Sequence, residues 1–419
     1  MTDSFVVSQL GARMHYAVPR IFNQAGRLER LYTDICGAKG WPRILEMVPN
    51  AALPRPLRRL SGRIPHGIPP QKLTCFEGIG INATVKRMMV PTRAQDTRVS
   101  LDAAKQFSRA VVASGFGSAT GFYGIAGECL DQLREARRRG LRTVVEQIVA
   151  PRSILDRLVT EEADKHQGWE PPVGDDPLAS MLIENEHAEW AAADVIVCPS
   201  EFVRDGVAAA GGPVERCVVV PYGVDARGPS GGRRARAPGP LRVLTVGALG
   251  LRKGTPYVAA AAEALGDRAE FRMVGPIAIS DDRRREVEEF IHLTGPVPRA
   301  EIAAHYAWAD VFLLPSVCEG SATVIYEALA AGVPVVTTEN AGSVVRHGID
   351  GFIVPLGDVE AICDYLDDLA GDDALLGAMS AQALQQAARH TVAFYGERLL
   401  AAIDRPDAWI AGQAGVIAA

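Results

Sequence analysis

Two glutamates, Glu319 and Glu327, stand eight positions apart within VFLLPSVCEGSATVIYEALAAGVP, residues 311–334. The stretch opens with an apolar run typical of buried parallel strands, and a loop with Glu319 follows. From about Ser321, apolar residues recur every three or four positions, which predicts a helix that carries Glu327 and ends before Gly332. Because a helix rises about 1.5 Å per residue and its side chains lean towards its N-terminus, the two carboxylates should lie ~10 Å apart along one wall of a cleft.

The residues between the two glutamates favour an anion site. Gly320, Ser321, Ala322 and Thr323 stand where the loop becomes the helix. Backbone N–H groups at a helix start have no partner inside the helix and bind phosphate readily. The carboxylates are too far apart for the catalytic pair of a retaining glycosidase, so they are better interpreted as hydroxyl acceptors. A ligand with hydroxyls on both sides of a phosphate is a nucleotide sugar.

A second charged group lies in VGALGLRKG, residues 246–254. The preceding strand ends at Gly247, and Arg252 and Lys253 come just before the next helix. Two cations that face the anion site could clamp a diphosphate and stabilise its charge as it leaves. A Lys-Gly pair at a helix start also occurs in ordinary solvated turns, so a purely structural role stays open.

The beginning of the chain contains further candidate site residues. Phe5–Leu10 is predicted to be the first strand, and Gly11 begins a turn into a helix that holds Arg13, His15 and Tyr16. His15 follows the strand and is expected to face the cleft. Its imidazole could serve the reaction or only the structure.

Residues 315–358, PSVCEGSATVIYEALAAGVPVVTTENAGSVVRHGIDGFIVPLGD, resemble the signature of the retaining GT-B glycosyltransferases of glycosyltransferase family 4. The resemblance implies that Glu319 holds hydroxyls of the donor sugar and that Glu327 holds the ribose. It also implies that the loop amides between them meet the sugar or its phosphate, and that Gly11 lies close to the donor phosphates.

The chain departs from the family pattern at several positions. The family usually has an arginine directly after the Val-Gly pair, where this chain has Ala248, and Arg252 is the expected substitute. Tyr222 replaces the asparagine of the family's N-G-V-D sequence, and Ala12 stands where a second glycine is common. These departures bear on how the diphosphate is held.

Strands and helices alternate through both halves of the chain, which predicts two doubly wound, Rossmann-like α/β domains facing a central cleft, the GT-B architecture. The first, for the acceptor, is placed at residues 1–211 and the second, for the donor, at 212–389, with a helix in 390–419 packing back on the first. Within the first domain, Ala110–Ser114 is interpreted as a strand and Ser200 as a helix N-cap.

Composition argues against several classes of protein. No apolar run approaches the ~20 residues of a membrane span, and the first residues do not resemble a signal peptide. The seven cysteines show no C-x-x-C spacing and no clustering with histidine, which favours a cytoplasmic protein without structural zinc. No D-x-D sequence occurs, so we expect no metal in the site and no cofactor beyond the nucleotide sugar as co-substrate.

Charge is unevenly distributed. Residues 1–100 contain 15 Lys and Arg against 6 Asp and Glu, whereas the whole chain has a net charge of −6. Arg55, Arg58, Arg59 and Arg63 are the densest group. Such a basic lobe suits an anionic membrane surface or a phosphate-bearing acceptor, or it is an ordinary solvated face. Aromatic residues do not alternate with the basic ones, so nucleic acid is not an expected partner.

Taken together, these features and the resemblance predict a retaining glycosyltransferase that moves a sugar from a nucleotide-diphosphate sugar to a hydroxyl of a saccharide, glycolipid or lipid-linked carrier, without a metal. Two alternatives stay open: a GT-B sugar phosphorylase or synthase, and an inactive subunit that binds a nucleotide sugar.

Overall fold

The computed structural model describes residues 3–40, 43, 57, 60, 62–89, 93–171, 177–225, 236 and 238–417. It contains two parallel β-sheets, each covered by helices. Three of the four clustered arginines, Arg55, Arg58 and Arg59, lie outside the described residues. The prediction of two doubly wound, Rossmann-like domains is confirmed.

The first sheet has seven strands in the order β3-β2-β1-β4-β5-β6-β7. The strands are β1 (Phe5–Ser8), β2 (Leu28–Thr33), β3 (Leu73–Cys75), β4 (Gly121–Ile125), β5 (Arg142–Glu146), β6 (Val195–Cys198) and β7 (Cys217–Val219). Its helices are α1 (Ala17–Gln24), α2 (Glu77–Met89), α3 (Arg93–Ser114), α4 (Leu130–Arg138), α5 (Arg152–Lys165), α6 (Ala179–Ala192) and α7 (Glu201–Ala209). Because β7 lies after residue 211, this sheet extends past the predicted division between the domains.

The second sheet has six strands in the order β10-β9-β8-β11-β12-β13. The strands are β8 (Leu241–Val246), β9 (Ala269–Val274), β10 (Ile291–Gly295), β11 (Val311–Leu314), β12 (Val335–Thr338) and β13 (Gly351–Val354). Its helices are α8 (Thr255–Leu265), α9 (Asp281–Val287), α10 (Arg299–Trp308), α11 (Thr323–Ala330), α12 (Val359–Gly371) and α13 (Asp373–Ala388), and the chain continues in α14 (Val392–Asp404) and α15 (Pro406–Ile417).

Strand order reverses once in each sheet, between β1 and β4 and between β8 and β11. Ligands of doubly wound sheets bind outside the carboxyl ends of the strands at such reversal points. Gly11 and His15 follow β1, Gly247 follows β8, and Glu319 follows β11. The topology alone therefore brings the predicted site residues to the two places where a ligand is expected.

One strand prediction is wrong. Ala110–Ser114 forms the last part of helix α3, and the next strand is β4. A short apolar run fits a strand or a buried helix equally well. Phe107 and Val111, four residues apart, are both fully buried, which is the spacing of one helix face.

The end of the chain returns to the first sheet. Tyr395 and Leu399 on α14 are buried in the same core as Phe5 and Phe22. Arg27 donates two hydrogen bonds, of 2.8 and 2.9 Å, to the carboxylate of Asp404. None of the helices among the described residues is both long enough and apolar enough to cross a membrane.

Candidate active site

The loop after β11 places Glu319 beside two cations. Its carboxylate lies 2.8 Å from Lys253 Nζ and 3.6 Å from the Arg252 guanidinium. The Glu319 side chain is 12% exposed and that of Lys253 is 13% exposed, so the ion pair is largely shielded from water. The Glu319 N–H donates to the Asn340 carbonyl at 2.9 Å, which fixes the loop beneath the carboxylate.

Gly247 makes room for this ion pair. A Cβ atom at Gly247 would lie 3.1 Å from Lys253 Cε, tighter than an ordinary contact, and its φ of +150° is unusual for any other residue. Gly254 likewise has a φ of +71°, and a Cβ there would lie 2.1 Å from the Pro315 carbonyl oxygen. The two loops after β8 and β11 therefore touch through glycines, and the Lys253 side chain passes over Gly247 to reach Glu319.

The start of α11 leaves backbone N–H groups available. Ala322 is the N-cap residue and provides no side-chain cap, although its own N–H donates to the Ala341 carbonyl at 3.1 Å. Among the described residues, no acceptor bonds the N–H groups of Thr323 and Val324, and both residues line the cleft. Ser321 Oγ shares a hydrogen bond of 2.7 Å with the Tyr326 hydroxyl, which holds the loop against the helix.

Glu327 has two partners that the sequence did not suggest. The Tyr306 hydroxyl donates to its carboxylate at 3.1 Å, and an Arg299 guanidinium nitrogen lies 3.6 Å away. Burial, and then the charge of Glu327, raise the pKa of Tyr306 well above its usual value, so the hydroxyl stays protonated and donates. Both partners stand on α10, seven positions apart on one face, and that spacing is the only signal the sequence carries for them.

The first domain supplies the opposite wall, and its local structure differs from the prediction. Arg13 and His15 lie in a tight turn before α1 and not in a regular helix. Met14, His15 and Tyr16 have positive φ values of 45°, 51° and 59°, which are strained for residues other than glycine. Because such strain persists only where its surroundings impose it, the turn fixes the backbone at His15, whose side chain lines the cleft.

Cations surround His15. Its side chain is exposed to the cleft, and partial burial, then the charges of Arg299, Arg20 and His66, lower its pKa below the usual value. The imidazole is therefore neutral near pH 7. Arg20 lies 3.3 Å from Asp225, and Arg13 forms no ion pair among the described residues.

The two domains meet at the predicted anion site. Ser200, which caps α7 as predicted, donates from Oγ to the Gly320 carbonyl at 2.5 Å. A Cβ at Gly320 would lie 1.8 Å from the Ile148 carbonyl oxygen, so only glycine fits there. Elsewhere the Val224 N–H donates to the His390 carbonyl at 3.0 Å, which joins the segment after β7 to the segment before α14.

These groups surround one cleft of about 1760 Å³ between the sheets. The predicted site residues that line it are His15, Arg252, Lys253, Glu319, Gly320, Ser321, Ala322, Thr323 and Glu327. Gly11 and Gly247 do not line it. Gly11, with φ +72°, instead shapes the turn after β1 and donates its N–H to Asp34 at 2.9 Å. The roles of all eleven residues in binding or catalysis stay predictions.

The second domain is similar in sequence to a known protein family. Residues 240–372 match the family model described as "Glycosyl transferases group 1". This segment contains β8 to β13 and both charged groups, so the match covers most of the second domain and about a third of the chain.

Curated relatives extend the similarity. The chain is 32% identical over 154 residues to the amylovoran biosynthesis glycosyltransferase AmsK of Erwinia amylovora, covering 32% of this chain and 37% of AmsK. It is 31% identical over 198 residues to the putative colanic acid biosynthesis glycosyltransferase WcaL of Salmonella typhimurium, covering 43% of this chain and 48% of WcaL. The chain thus spans less than half the length of these relatives.

Solved structures identify the architecture. HepE of Anabaena, in a complex with UDP, has a TM-score of 0.58 at 12% identity, covering 96% of this chain and 100% of HepE. Sucrose-phosphate synthase of Thermosynechococcus elongatus has a TM-score of 0.63 at 14% identity, covering 97% of this chain and 100% of the synthase. The chain has the GT-B fold.

Proposed function

We propose that this protein is a glycosyltransferase that transfers a sugar, with retention of anomeric configuration, from a nucleotide-diphosphate sugar to a hydroxyl of a saccharide or lipid-linked acceptor. The observation that carries the proposal is the shielded Lys253–Glu319 pair beside the open start of α11, with Glu327 farther along the same helix. The names of AmsK and WcaL, which refer to polysaccharide biosynthesis, support a polysaccharide or glycolipid product.

Each part of the donor has a matching group in this cleft. Lys253 and the N–H groups of Thr323 and Val324 suit the diphosphate, since all of them donate to anionic oxygen. Glu319 suits the sugar hydroxyls, and its contact with Lys253 keeps it close to the phosphate. Glu327 suits the ribose hydroxyls, and the Tyr306 hydroxyl orients its carboxylate.

The positive groups of the cleft predict how the transfer step proceeds. The bond between the anomeric carbon and the phosphate oxygen breaks, and the nucleoside diphosphate leaves with that electron pair. The acceptor oxygen forms the new bond on the same face of the sugar, and its proton passes to the departing phosphate oxygen. Lys253 and the helix amides stabilise the charge that develops on that oxygen, and electrostatic stabilisation of this kind is usually the largest contribution to catalysis. We assign the neutral His15 imidazole, on the first-domain wall, to the acceptor side.

Removing the Glu327 carboxylate should weaken the binding of nucleotide alone. A charged hydrogen bond contributes about 1.5–3 kcal/mol, so Glu327→Gln should raise the Kd of the preferred nucleoside diphosphate about 10- to 150-fold. The preferred nucleotide is found first by thermal shift over a panel of nucleoside diphosphates and their sugars, and Kd is then measured by calorimetry. Glu339→Gln, a carboxylate of the same domain outside the cleft lining, is the control. Equal affinity for wild type and Glu327→Gln would contradict the ribose assignment.

Transfer should persist in EDTA and give a product with the anomeric configuration of the donor. We expect metal independence because Lys253 and the helix amides can stabilise the charge of the diphosphate, which other transferases do with a metal ion. Among the described residues, no three His, Cys, Asp or Glu side chains are grouped to hold a metal ion, and metal independence itself stays a prediction. Activity that is lost on chelation and restored by Mn²⁺ or Mg²⁺ would refute metal independence. A product with the opposite anomeric configuration, seen by NMR, would refute retention.

The same assays separate the two alternative functions. Sugar transfer to inorganic phosphate would favour a phosphorylase, and nucleotide-sugar binding without transfer or hydrolysis would favour a binding subunit.

A further inference from the structure

Helix α5 begins in the first domain. The N–H of Arg152, its first residue, donates to the Glu186 carboxylate of α6 at 2.9 Å, and the same carboxylate accepts from the Gln147 side-chain amide at 2.7 Å. Gln147 directly follows β5, and its amide oxygen accepts from the Trp190 indole at 3.0 Å. The start of α5 is therefore fixed at the carboxyl end of the first sheet.

The rest of α5 packs on the second domain. Leu158 is buried in the same core as Leu241 and Phe271, which lie on β8 and β9. The Tyr257 hydroxyl, on α8, donates to the carboxylate of Glu162, whose side chain is 1% exposed. Helix α5 thus connects the two domains, because its first residue is held by one domain and its last turn by the other.

After α5 the chain stays on the second domain. Ser280 donates its N–H to the Trp169 carbonyl at 2.7 Å and its hydroxyl to the Gly168 carbonyl at 2.6 Å. The Trp169 side chain packs against the same core as Leu158. These contacts place the next residue, Glu170, beside the loop that follows β8.

Glu170 anchors that loop through a backbone group. The Leu251 N–H donates to the Glu170 carboxylate at 2.6 Å. Leu251 begins the single helical turn, Leu251–Lys253, that carries both cations of the site. A Cβ atom at Gly250, the residue before this turn, would lie 2.3 Å from the same carboxylate oxygen. The carboxylate therefore lies directly against the backbone of the loop.

We infer that Glu170 is a positioning residue, which holds this turn so that Arg252 and Lys253 meet the diphosphate. Its carboxylate acts through the Leu251 N–H, and the ammonium group of Lys253 lies on Glu319 at 2.8 Å. A preorganised cation stabilises a developing charge only while its geometry is held, and a displacement of about 1 Å can cost a factor of about 10² in rate. The inference rests on the proposed function, since it gives these cations their task.

Position and charge predict opposite effects of removing this carboxylate. If Glu170 acted through its charge alone, its removal would strengthen the attraction between the nearby cations and a diphosphate. If it holds the turn, its removal frees the turn and weakens nucleotide binding. An amide oxygen accepts a hydrogen bond as a carboxylate oxygen does, so Glu170→Gln keeps the anchor and removes the charge. Glu170→Ala and Glu170→Gln together therefore separate the two roles.

Transfer kinetics and calorimetry with the preferred nucleoside diphosphate test the role. Glu170→Ala should raise the nucleotide Kd and lower kcat about 10- to 100-fold, whereas Glu170→Gln should stay within about threefold of the wild type. Gly250→Ala should behave as Glu170→Ala does, because its Cβ displaces the carboxylate. In a Lys253→Ala background, Glu170→Ala should lower kcat at most about threefold, since Arg252 is then the cation left to position.

Hydrogen exchange measures the anchor without any substrate. The Leu251 amide of the free protein should exchange faster in Glu170→Ala and Gly250→Ala than in the wild type, and at the wild-type rate in Glu170→Gln. The matched control is Glu161→Ala, which removes an exposed carboxylate of α5 that lies 2.9 Å from Arg157. The control should leave amide exchange, kcat and nucleotide Kd unchanged.

Four results would overturn the inference. They are equal Leu251 exchange in wild type and Glu170→Ala, tighter nucleotide binding in Glu170→Ala, a defect in Glu170→Gln as large as that in Glu170→Ala, and faster exchange with unchanged transfer. If Glu170→Ala does not fold, Gly250→Ala supplies the same comparisons. A wild type that neither binds nucleotide nor transfers sugar would refute the proposed function instead, and the exchange rates would then decide by themselves whether Glu170 anchors the turn.

Discussion

Glu319→Gln should lower sugar transfer at least about tenfold while nucleoside diphosphate binds as tightly as before, or more tightly. The carboxylate is 2.8 Å from Lys253 Nζ and 3.6 Å from Arg252. The amide has one acceptor oxygen instead of two and no charge, so the sugar hydroxyls lose a charged hydrogen bond of about 1.5–3 kcal/mol and kcat/KM should fall about 10- to 150-fold or more. The same change releases both cations from their anionic partner, which leaves them freer to attract a diphosphate.

The two measurements are steady-state transfer kinetics and calorimetry with the nucleoside diphosphate. A Glu319→Gln variant that loses nucleotide affinity in proportion to activity would show that the carboxylate serves the whole donor and not the sugar alone. Glu339→Gln again provides the control, because its carboxylate lies in the same domain outside the residues that line the cleft.

The sequence predicted well those features that depend on local pattern. The change from an apolar run to helical spacing at Ser321 located β11 and α11, and Ser200 was recognised as an N-cap because serine at a helix start has a local reason to be there. The Ala110–Ser114 prediction failed for the converse reason. Its five residues hold no periodicity that separates a strand from the buried face of α3.

Contacts between distant elements could not be predicted from the sequence. Arg252, Lys253 and Glu319 were expected to meet different parts of one ligand, and nothing local indicated that Lys253 passes over Gly247 to pair with Glu319. Tyr306 and Arg299 reach Glu327 only because side chains of α10 extend to α11, where the Tyr306 hydroxyl also lies 3.2 Å from the Val324 carbonyl oxygen. The left-handed turn at Met14–Tyr16 was equally hidden, since none of its residues is a glycine.

The topology explains why the predicted site residues nevertheless meet. Loops that follow β8 and β11 are neighbours only because the strand order reverses between these two strands. The Gly254 turn then packs on the Pro315 carbonyl and the Gly320 turn on the Ile148 carbonyl, so glycine is needed at these two contacts. Sequence patterns can therefore identify the site residues, whereas the order of the strands in the sheet determines which of them face one another.

Lys253→Ala should lower both nucleotide affinity and the rate of the chemical step. Its side chain is 13% exposed and its ammonium group is held by Glu319, so the cation is fixed before a substrate arrives. Removing one preorganised donor to a developing anion typically costs a factor of about 10² to 10³ in kcat. The loss of kcat should exceed the loss of nucleotide affinity, because the charge on the phosphate grows as the sugar bond breaks.

Two further variants make the test specific. Arg268→Ala removes a cation that pairs with Asp367 outside the cleft lining, and it should leave kcat and nucleotide affinity unchanged. Gly247→Ala keeps the lysine but places a Cβ 3.1 Å from its Cε, and it should reproduce part of the Lys253→Ala defect. Because Glu319→Gln and Lys253→Ala are expected to move nucleotide affinity in opposite directions, an equal loss of affinity in both would contradict the division of the donor between these two side chains.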